Sequence, residues 1–361
     1  MPSPSSLAEI KNEIMSEFSG YEKMSNNLKK LGLSENDFSK IEKLKWVVTE
    51  KVHGANFSFI YENGILKFAK RKGYLKWTDD FFGFQLMVNK LEDDILRLFE
   101  HLSNEIIGEK YIVYGELFGG KYPHSEVNPI KDLHAIQTGV YYTPTIEFCA
   151  FDIAIETNDS DSKYYLDYKS SLAYFKQFGI FHAQPLFIGK FAEAMNFNIR
   201  INSTIPKEFG LPELKDNLIE GVVIKPFNQI DKNTLFSRPI VKFKNSEFDE
   251  EDKFHEAVKW SFIPNISSKT ENLSFIVDEL RKYITQNRLV SAISKIGKLD
   301  MSNQLRISEI KTEFLEDVVT DFNENNDNIL NDLSISEKEW IIKRVNSEIN
   351  RIITSANSSL A

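Results

Sequence analysis

Cysteine is nearly absent. A single Cys149 in 361 residues excludes an internal disulfide and points to a reducing compartment. It lies in the apolar run "IEFCAFDIAI" and reads as core filler. Long hydrophobic runs are also missing, and none approaches the ~18 residues that a membrane span needs. The N-terminal "MPSPSSLAEIKNEIMSEF" has no apolar stretch of the secretory kind, and it carries acidic residues that a transit peptide avoids. The expectation is a soluble, intracellular protein without a membrane partner. A basic excess is lacking too. The net charge of -9 argues against non-specific nucleic-acid binding by the chain as a whole. No internal repeat and no low-complexity linker is visible.

The charge that is present is uneven. Residues 301–350 hold 5 Lys/Arg against 11 Asp/Glu. Residues 67–76, "KFAKRKGYLK", hold five bases and no acid. Such a strip can bind phosphates whatever the total charge. A chain of 361 residues with 42% hydrophobic content favours two well-packed domains.

Residues 1–44 predict two helical pieces, "SLAEIKNEIMSEF" and "SENDFSKIEKL", the second opening at Ser34 as an N-cap. From about 45 to 250, short β-like runs alternate with helical or polar segments. "ENG" at 62–64 predicts a hairpin turn. "DDFFGFQLMVNKLEDDILRLFEHLSNEI" and "DYKSSLAYFKQFG" read as helices. After about 255 the pattern is helical throughout. There Leu273, Ile276, Val277, Leu280 and Ile284 share one helical face.

Five short stretches carry chemistry. In "TEKVHGANFSF", Lys51 stands beside Glu50 at a Lys-x-His-Gly corner between two strand-like runs. A lysine amine attacks only when deprotonated, and its unperturbed pKa is ~10.4. Nearby cations and partial burial lower it, and Arg71, Lys242 and Lys244 are the candidates. In "VYGELFGG", Glu116 can accept hydrogen bonds from a ribose, and the glycines allow close backbone approach. In "FCAFDI", Phe151 can stack on a purine. In "LIEGVVIKP", Glu220 is an oxygen ligand suited to a divalent cation. In "VKFKNSEF", Lys242 and Lys244 fall on one strand face, with Phe243 on the other. Two lysines so placed repel unless a polyanion lies between them. Each stretch also has a plain structural reading: a strand-end Lys, an edge Glu, a core Phe, a turn Glu and a solvated face. Their ordered succession instead describes a nucleotidyl-transfer site.

That ordered set resembles motifs I, III, IIIa, IV and V of the covalent nucleotidyltransferases. Lys51-Val52-His53-Gly54-Ala55-Asn56 carries His where DNA ligases typically carry Asp. This is similar to the RNA ligase 2 family, the branch of phage RNA ligase 2 and the trypanosome RNA-editing ligases. "AKRKG", "DFFGFQ", "EGVVIKP" and "QNRLVSAISKIG" extend the resemblance over about residues 45–300. It implies an α+β fold. Residues 1–255 would form a nucleotidyltransferase domain of antiparallel sheets with flanking helices, and 256–361 an all-helical domain. It implies an ATP-dependent RNA ligase, a monomer that seals 3′-OH/5′-phosphate ends, with nicked duplex RNA as the partner and Mg²⁺ or Mn²⁺ as the metal.

The resemblance also implies roles. Lys51 would take AMP covalently, assisted by Lys242 and Lys244. Glu50, Val52, His53, Asn56, Arg71, Glu116 and Phe151 would line the nucleotide site. Glu220 would hold the metal, and Arg71, Phe81 and Phe82 would touch RNA. An mRNA guanylyltransferase or a DNA ligase stands as the alternative within the superfamily, although both usually follow motif V with a β-barrel domain. A catalytically inactive RNA-binding relative is the alternative outside it.

Overall fold

The computed structural model describes residues 18, 20–157, 163–228, 238–248 and 266–360. The first predicted helix, apart from Phe18, and the expected boundary at 255/256 lie outside the described residues.

Helix α1 (Glu35–Ile41) begins at Ser34 as its local chemistry requires. Ser34 Oγ accepts the Asp37 N–H, and the Asp37 carboxylate accepts the Ser34 N–H, a capping box. Strands β1 (Lys45–Glu50), β2 (Ala55–Glu62), β3 (Ile65–Lys70) and β4 (Gly73–Leu75) follow, then α2 (Phe84–Glu105). Next come β5 (Lys110–Gly119), β6 (Ile146–Glu156), β7 (Tyr164–Tyr165), α3 (Tyr168–Gln177), β8 (Pro185–Lys190) and α4 (Phe191–Met195). Helix α5 (Ile205–Glu208), β9 (Gly221–Pro226) and β10 (Val241–Lys244) complete this part. The C-terminal part is helical: α6 (Ile266–Arg281), α7 (Gln286–Ile296), α8 (Gln304–Asn325) and α9 (Ile335–Leu360).

The strands form two sheets with antiparallel neighbours. One has four strands in the order β10-β9-β1-β8, the other six in the order β4-β3-β2-β5-β6-β7. The α+β expectation holds. The predicted hairpin at 62–64 joins β2 to β3, with Asn63 and Gly64 at φ of 55° and 76°. Two successive left-handed residues match the twist of the flanking strands. Helix α2 starts at Phe84, five residues after the stretch that reads as helix, because Phe82 and Gly83 both adopt positive φ.

The six-stranded sheet buries Phe57, Phe59, Val113 and Phe148 against Phe84, Met87 and Ile95 of α2. The four-stranded sheet buries Trp46, Val48, Val222 and Ile224. The C-terminal helices have their own core, in which Leu273, Ile276, Val277, Leu280 and Ile284 are buried together.

The chain leaves the four-stranded sheet at Glu50 and enters the six-stranded one at Ala55. Residues 51–54, the Lys-x-His-Gly corner, are that crossover. No helix among the described residues is long and apolar enough to cross a membrane.

Candidate active site

The crossover is tightly held. The Lys51 N–H donates to the Gly221 carbonyl at 2.9 Å, and the His53 N–H donates to Tyr142 Oη at 2.9 Å. Gly54 is pressed onto β5. A Cβ there would stand 1.9 Å from the Leu117 carbonyl oxygen and 3.0 Å from Glu116 Cγ. Only glycine allows this approach.

Lys51 opens into a cleft of 540 Å³ between the two sheets. Its Nζ lies 2.5 Å from Glu220 Oε2. His53 Nδ1 approaches the same oxygen at 3.1 Å, and Lys244 Nζ meets Glu220 Oε1 at 2.8 Å. Burial alone would raise the Glu220 carboxyl. The His53 hydrogen bond and the Lys51 charge outweigh it, with Lys244 adding to them, and hold it well below the usual carboxylate range. The expected cationic neighbours of Lys51 are present in the cleft, but its direct partner is this carboxylate. Both motifs are strand ends on one sheet, so spacing along the chain hid their contact.

Glu116 stands across the cleft on β5. Burial pushes its carboxyl up to about 7, with Lys51 pulling it down and Glu220 pushing it further up. Lys242 also lines the cleft. Burial lowers its ammonium, and the Lys51 and Lys244 charges lower it further. Among the described residues, neither Lys242 nor Arg71 has a carboxylate within ion-pair distance. Phe243, between the two strand lysines, packs on the four-stranded sheet's core, as alternation predicts.

Phe151 reaches the cleft through a β-bulge. Tyr114 pairs with Asp152 and Gly115 with Ala150, so Phe151 is the extra residue of β6 and is re-aimed. Asn56 lines the wall beside it, donating weakly to the Gly115 carbonyl at 3.4 Å, while its buried Oδ1 has no hydrogen-bond partner among the described residues. Glu50 and Val52 flank the lysine. Ser203 Oγ donates to Glu50 Oε2 at 3.1 Å, and burial pushes the Glu50 carboxyl up to about 7. Val52 is buried with Phe118, Tyr142 and Cys149. Phe81 lines the cleft, but Phe82 does not; it packs against the core of the six-stranded sheet.

Sequence reasoning passed over the deep end of the cleft. Lys225 of β9 crosses from one sheet to the other, donating to Asp152 Oδ1 at 2.7 Å and to the Phe151 carbonyl at 2.9 Å. Arg238 donates to the same Asp152 oxygen at 2.7 Å, and Tyr21 Oη donates to Asp152 Oδ2 at 2.6 Å. Burial would raise the Asp152 carboxyl, but Arg238 and then Lys225 outweigh it and bring it down to about 2. The available signal was an opposite pair of charges inside two apolar runs, "CAFDI" and "VVIKP". Gln137 also lines the cleft, from a long irregular connection that carries no pattern.

No group of three or more His, Cys, Asp or Glu side chains among the described residues is arranged to hold a metal ion. Protein side chains alone therefore build no cation cage there. Mg²⁺ commonly binds through one or two carboxylates together with substrate phosphates. Glu220, with Glu116 facing it, fits that mode.

Residues 44–244 match the RNA ligase family model. The chain belongs to the RNA ligase family. The expectation of an RNA ligase enzyme from that branch holds. Residues 267–351 match a second model, described as T4 RNA ligase 2 C-terminal, which agrees with helices rather than a β-barrel after β10. Among curated proteins, mitochondrial RNA-editing ligase 2 of Trypanosoma brucei brucei is 26% identical over 375 residues, covering 92% of this chain and 88% of the relative. Mitochondrial RNA-editing ligase 1 of the same organism is 24% identical over 365 residues, covering 86% and 76%. Among solved structures, a mutant Naegleria gruberi RNA ligase with ATP and Mn aligns at 16% identity and a TM-score of 0.40. That alignment covers 67% of this chain and 62% of the Naegleria ligase, and it adds nothing to the family assignment.

Proposed function

We propose that this chain is an ATP-dependent ligase that seals 3′-OH/5′-phosphate nicks in duplex RNA, working as a soluble intracellular monomer through a Lys51–AMP adduct. The observation that carries the reading is the polarity of the cleft. Glu116 and Phe151 stand on one wall, suited to a nucleoside. Lys242, Lys244 and Arg71 crowd near Lys51 with more positive charge than the described carboxylates neutralise, which suits phosphates.

Lys51 Nζ attacks the α-phosphorus of ATP; the N–P bond forms and pyrophosphate leaves. The 5′-phosphate of an RNA end then displaces the lysine, leaving AMP in pyrophosphate linkage on that end. An RNA 3′-OH attacks the activated 5′-phosphorus, the phosphodiester forms and AMP leaves. Lys242 and Lys244 stabilise the charge that builds on the phosphate oxygens, at fixed positions on β10. Glu220 holds Lys51 and His53 in register before the nucleotide arrives. Glu220 would hold a divalent cation together with the substrate phosphates, and that cation would supply further neutralisation of the α-phosphate. Arg71 and Phe81, at the cleft edge, meet the RNA end. Residues 1–255 carry adenylylation, and 256–361 support joining.

The test incubates the protein with α-labelled ATP and Mg²⁺. The wild type should retain label after denaturation, and Lys51→Ala should retain none. A nicked RNA duplex should be sealed in preference to nicked DNA or single-stranded RNA. No label on the wild type would end the enzyme reading, and labelling by GTP alone would favour a guanylyltransferase.

A further inference from the structure

Helix α9 folds back onto the N-terminal part at one defined place. The Trp340 indole meets Trp77 edge-on, with ring centroids 6.0 Å apart. The Arg344 guanidinium lies 3.4 Å from the Trp340 ring centroid and 5.1 Å from that of Trp77. Its charge faces Glu92 of α2 at 3.1 Å, with both side chains largely buried. Lys343 meets Asp93 at 2.9 Å, and Ser347 Oγ donates to the Gly64 carbonyl, in the β2–β3 turn, at 2.8 Å.

Trp77 is placed where such a contact matters. It lies between Arg71 and Phe81, both of which line the cleft. Its carbonyl accepts from buried Gln85 Nε2 at 2.7 Å, and the same nitrogen donates to the Asp79 carbonyl at 3.1 Å. The segment is thus held at its middle, by α2 from within and by α9 from outside. The 3.4 Å cation–π contact stacks Arg344 on Trp340 within α9 and fixes the pair, which then reaches Trp77 through the 6.0 Å ring contact and the 5.1 Å guanidinium contact. By contrast Lys51 lies in the crossover after β1, Glu220 just before β9, and Lys242 and Lys244 on β10, all outside that segment.

We propose that Trp340 and Arg344 are positioning residues: by clamping Trp77 they set where Phe81 meets the RNA end, while Arg71 is held separately by the β3–β4 strand pair. This rests on reading the cleft as the site of RNA joining. It gives the C-terminal helices a part in joining that needs no contact of their own with the nick.

The test uses the full chain, after the wild type has been shown to form Lys51–AMP and to seal nicked RNA; failure at that stage counts against the function and not against the clamp. Trp340→Ala and Arg344→Ala are then compared on a pre-adenylylated nicked RNA duplex across a range of RNA concentrations. The KM for RNA should rise about tenfold or more, as expected for a displaced binding segment. Adduct formation with ATP should stay within about twofold of wild type. Trp340→Phe should recover most of the lost affinity. An unchanged KM in the alanine variants would overturn the proposal, and so would an equal fall in adduct formation and joining. Should an alanine variant fail to fold, Arg344→Lys decides the matter. It keeps the charge towards Glu92 and loses the planar stack. A raised KM with the adduct retained supports the clamp, and a wild-type KM refutes it.

Discussion

Replacing Gly54 by Ala tests the corner that carries the lysine. The added methyl would stand 1.9 Å from the Leu117 carbonyl oxygen. Relief to even a tight contact requires the two backbones to part by at least about 1 Å in a region that packs like a crystal. Strand β5 cannot yield easily. Leu117 is paired with Ala55 on one side and Phe148 on the other. The crossover must therefore move, and Lys51 moves with it. A displacement near 1 Å at reacting atoms costs about 10²-fold in rate, and overpacking costs about 1–3 kcal/mol in stability. Single-turnover formation of protein–AMP from labelled ATP measures the first, and a urea denaturation curve measures the second. The expected outcome is a folded, mildly destabilised protein that forms the adduct about a hundredfold more slowly. A Gly54→Ala protein with wild-type rate and wild-type midpoint would refute the packing argument and the placement of Lys51 with it.

The clasp at the deep end should matter more for stability. Asp152→Asn leaves Lys225 and Arg238 without their shared counter-charge and should cost about 3–5 kcal/mol in urea, whereas a change under about 1 kcal/mol would contradict the clasp. The wild type bears on the same point. Asp152 is held at about 2 in the folded chain against ~3.9 unfolded, so its contribution is present above pH ~4 and is lost as the pH falls towards 2. Glu50 runs the other way. Burial lifts it to about 7, the folded chain binds its proton more tightly than the unfolded chain does, and stability falls as pH rises from about 4.5 to 7 before levelling. Glu50→Gln should flatten that part of the profile in melting curves, leaving the share due to Glu116. Parallel profiles for wild type and variant would show that Glu50 does not titrate in this window.

Local rules carried the sequence reading where the structure is local. Asn63-Gly64 forms the hairpin because both residues accept positive φ, and Lys242 and Lys244 share a face because strands alternate. The C-terminal helices followed from period alone. The rest depended on pairings that no local pattern encodes. Strand β8 joins the four-stranded sheet beside β1 from more than a hundred residues away. Phe151 faces the cleft because of a bulge against Gly115, which is a matter of register. Glu220 meets Lys51 because Gly221 receives the Lys51 N–H. The Trp77–Trp340 contact joins two residues far apart in the chain that no local pattern connects.

The seam between the sheets has a consequence of its own. The groups proposed to face the nucleoside, Glu116 and Phe151, belong to one sheet, and Glu220, Lys242 and Lys244, proposed to face the phosphates, border the other, with Arg71 reaching them from a turn of the first. The walls are joined covalently through residues 51–54 and fastened below by Lys225 and Asp152. Each wall can then be altered without redrawing the hydrogen-bond ladder of its neighbour. On the proposed roles, base preference would be a property of one plate and most of the phosphoryl chemistry a property of the other, with Lys51 at the fulcrum. Substitutions that widen the range of accepted nucleotides should therefore be found on β5 and β6, while β9 and β10 tolerate little change.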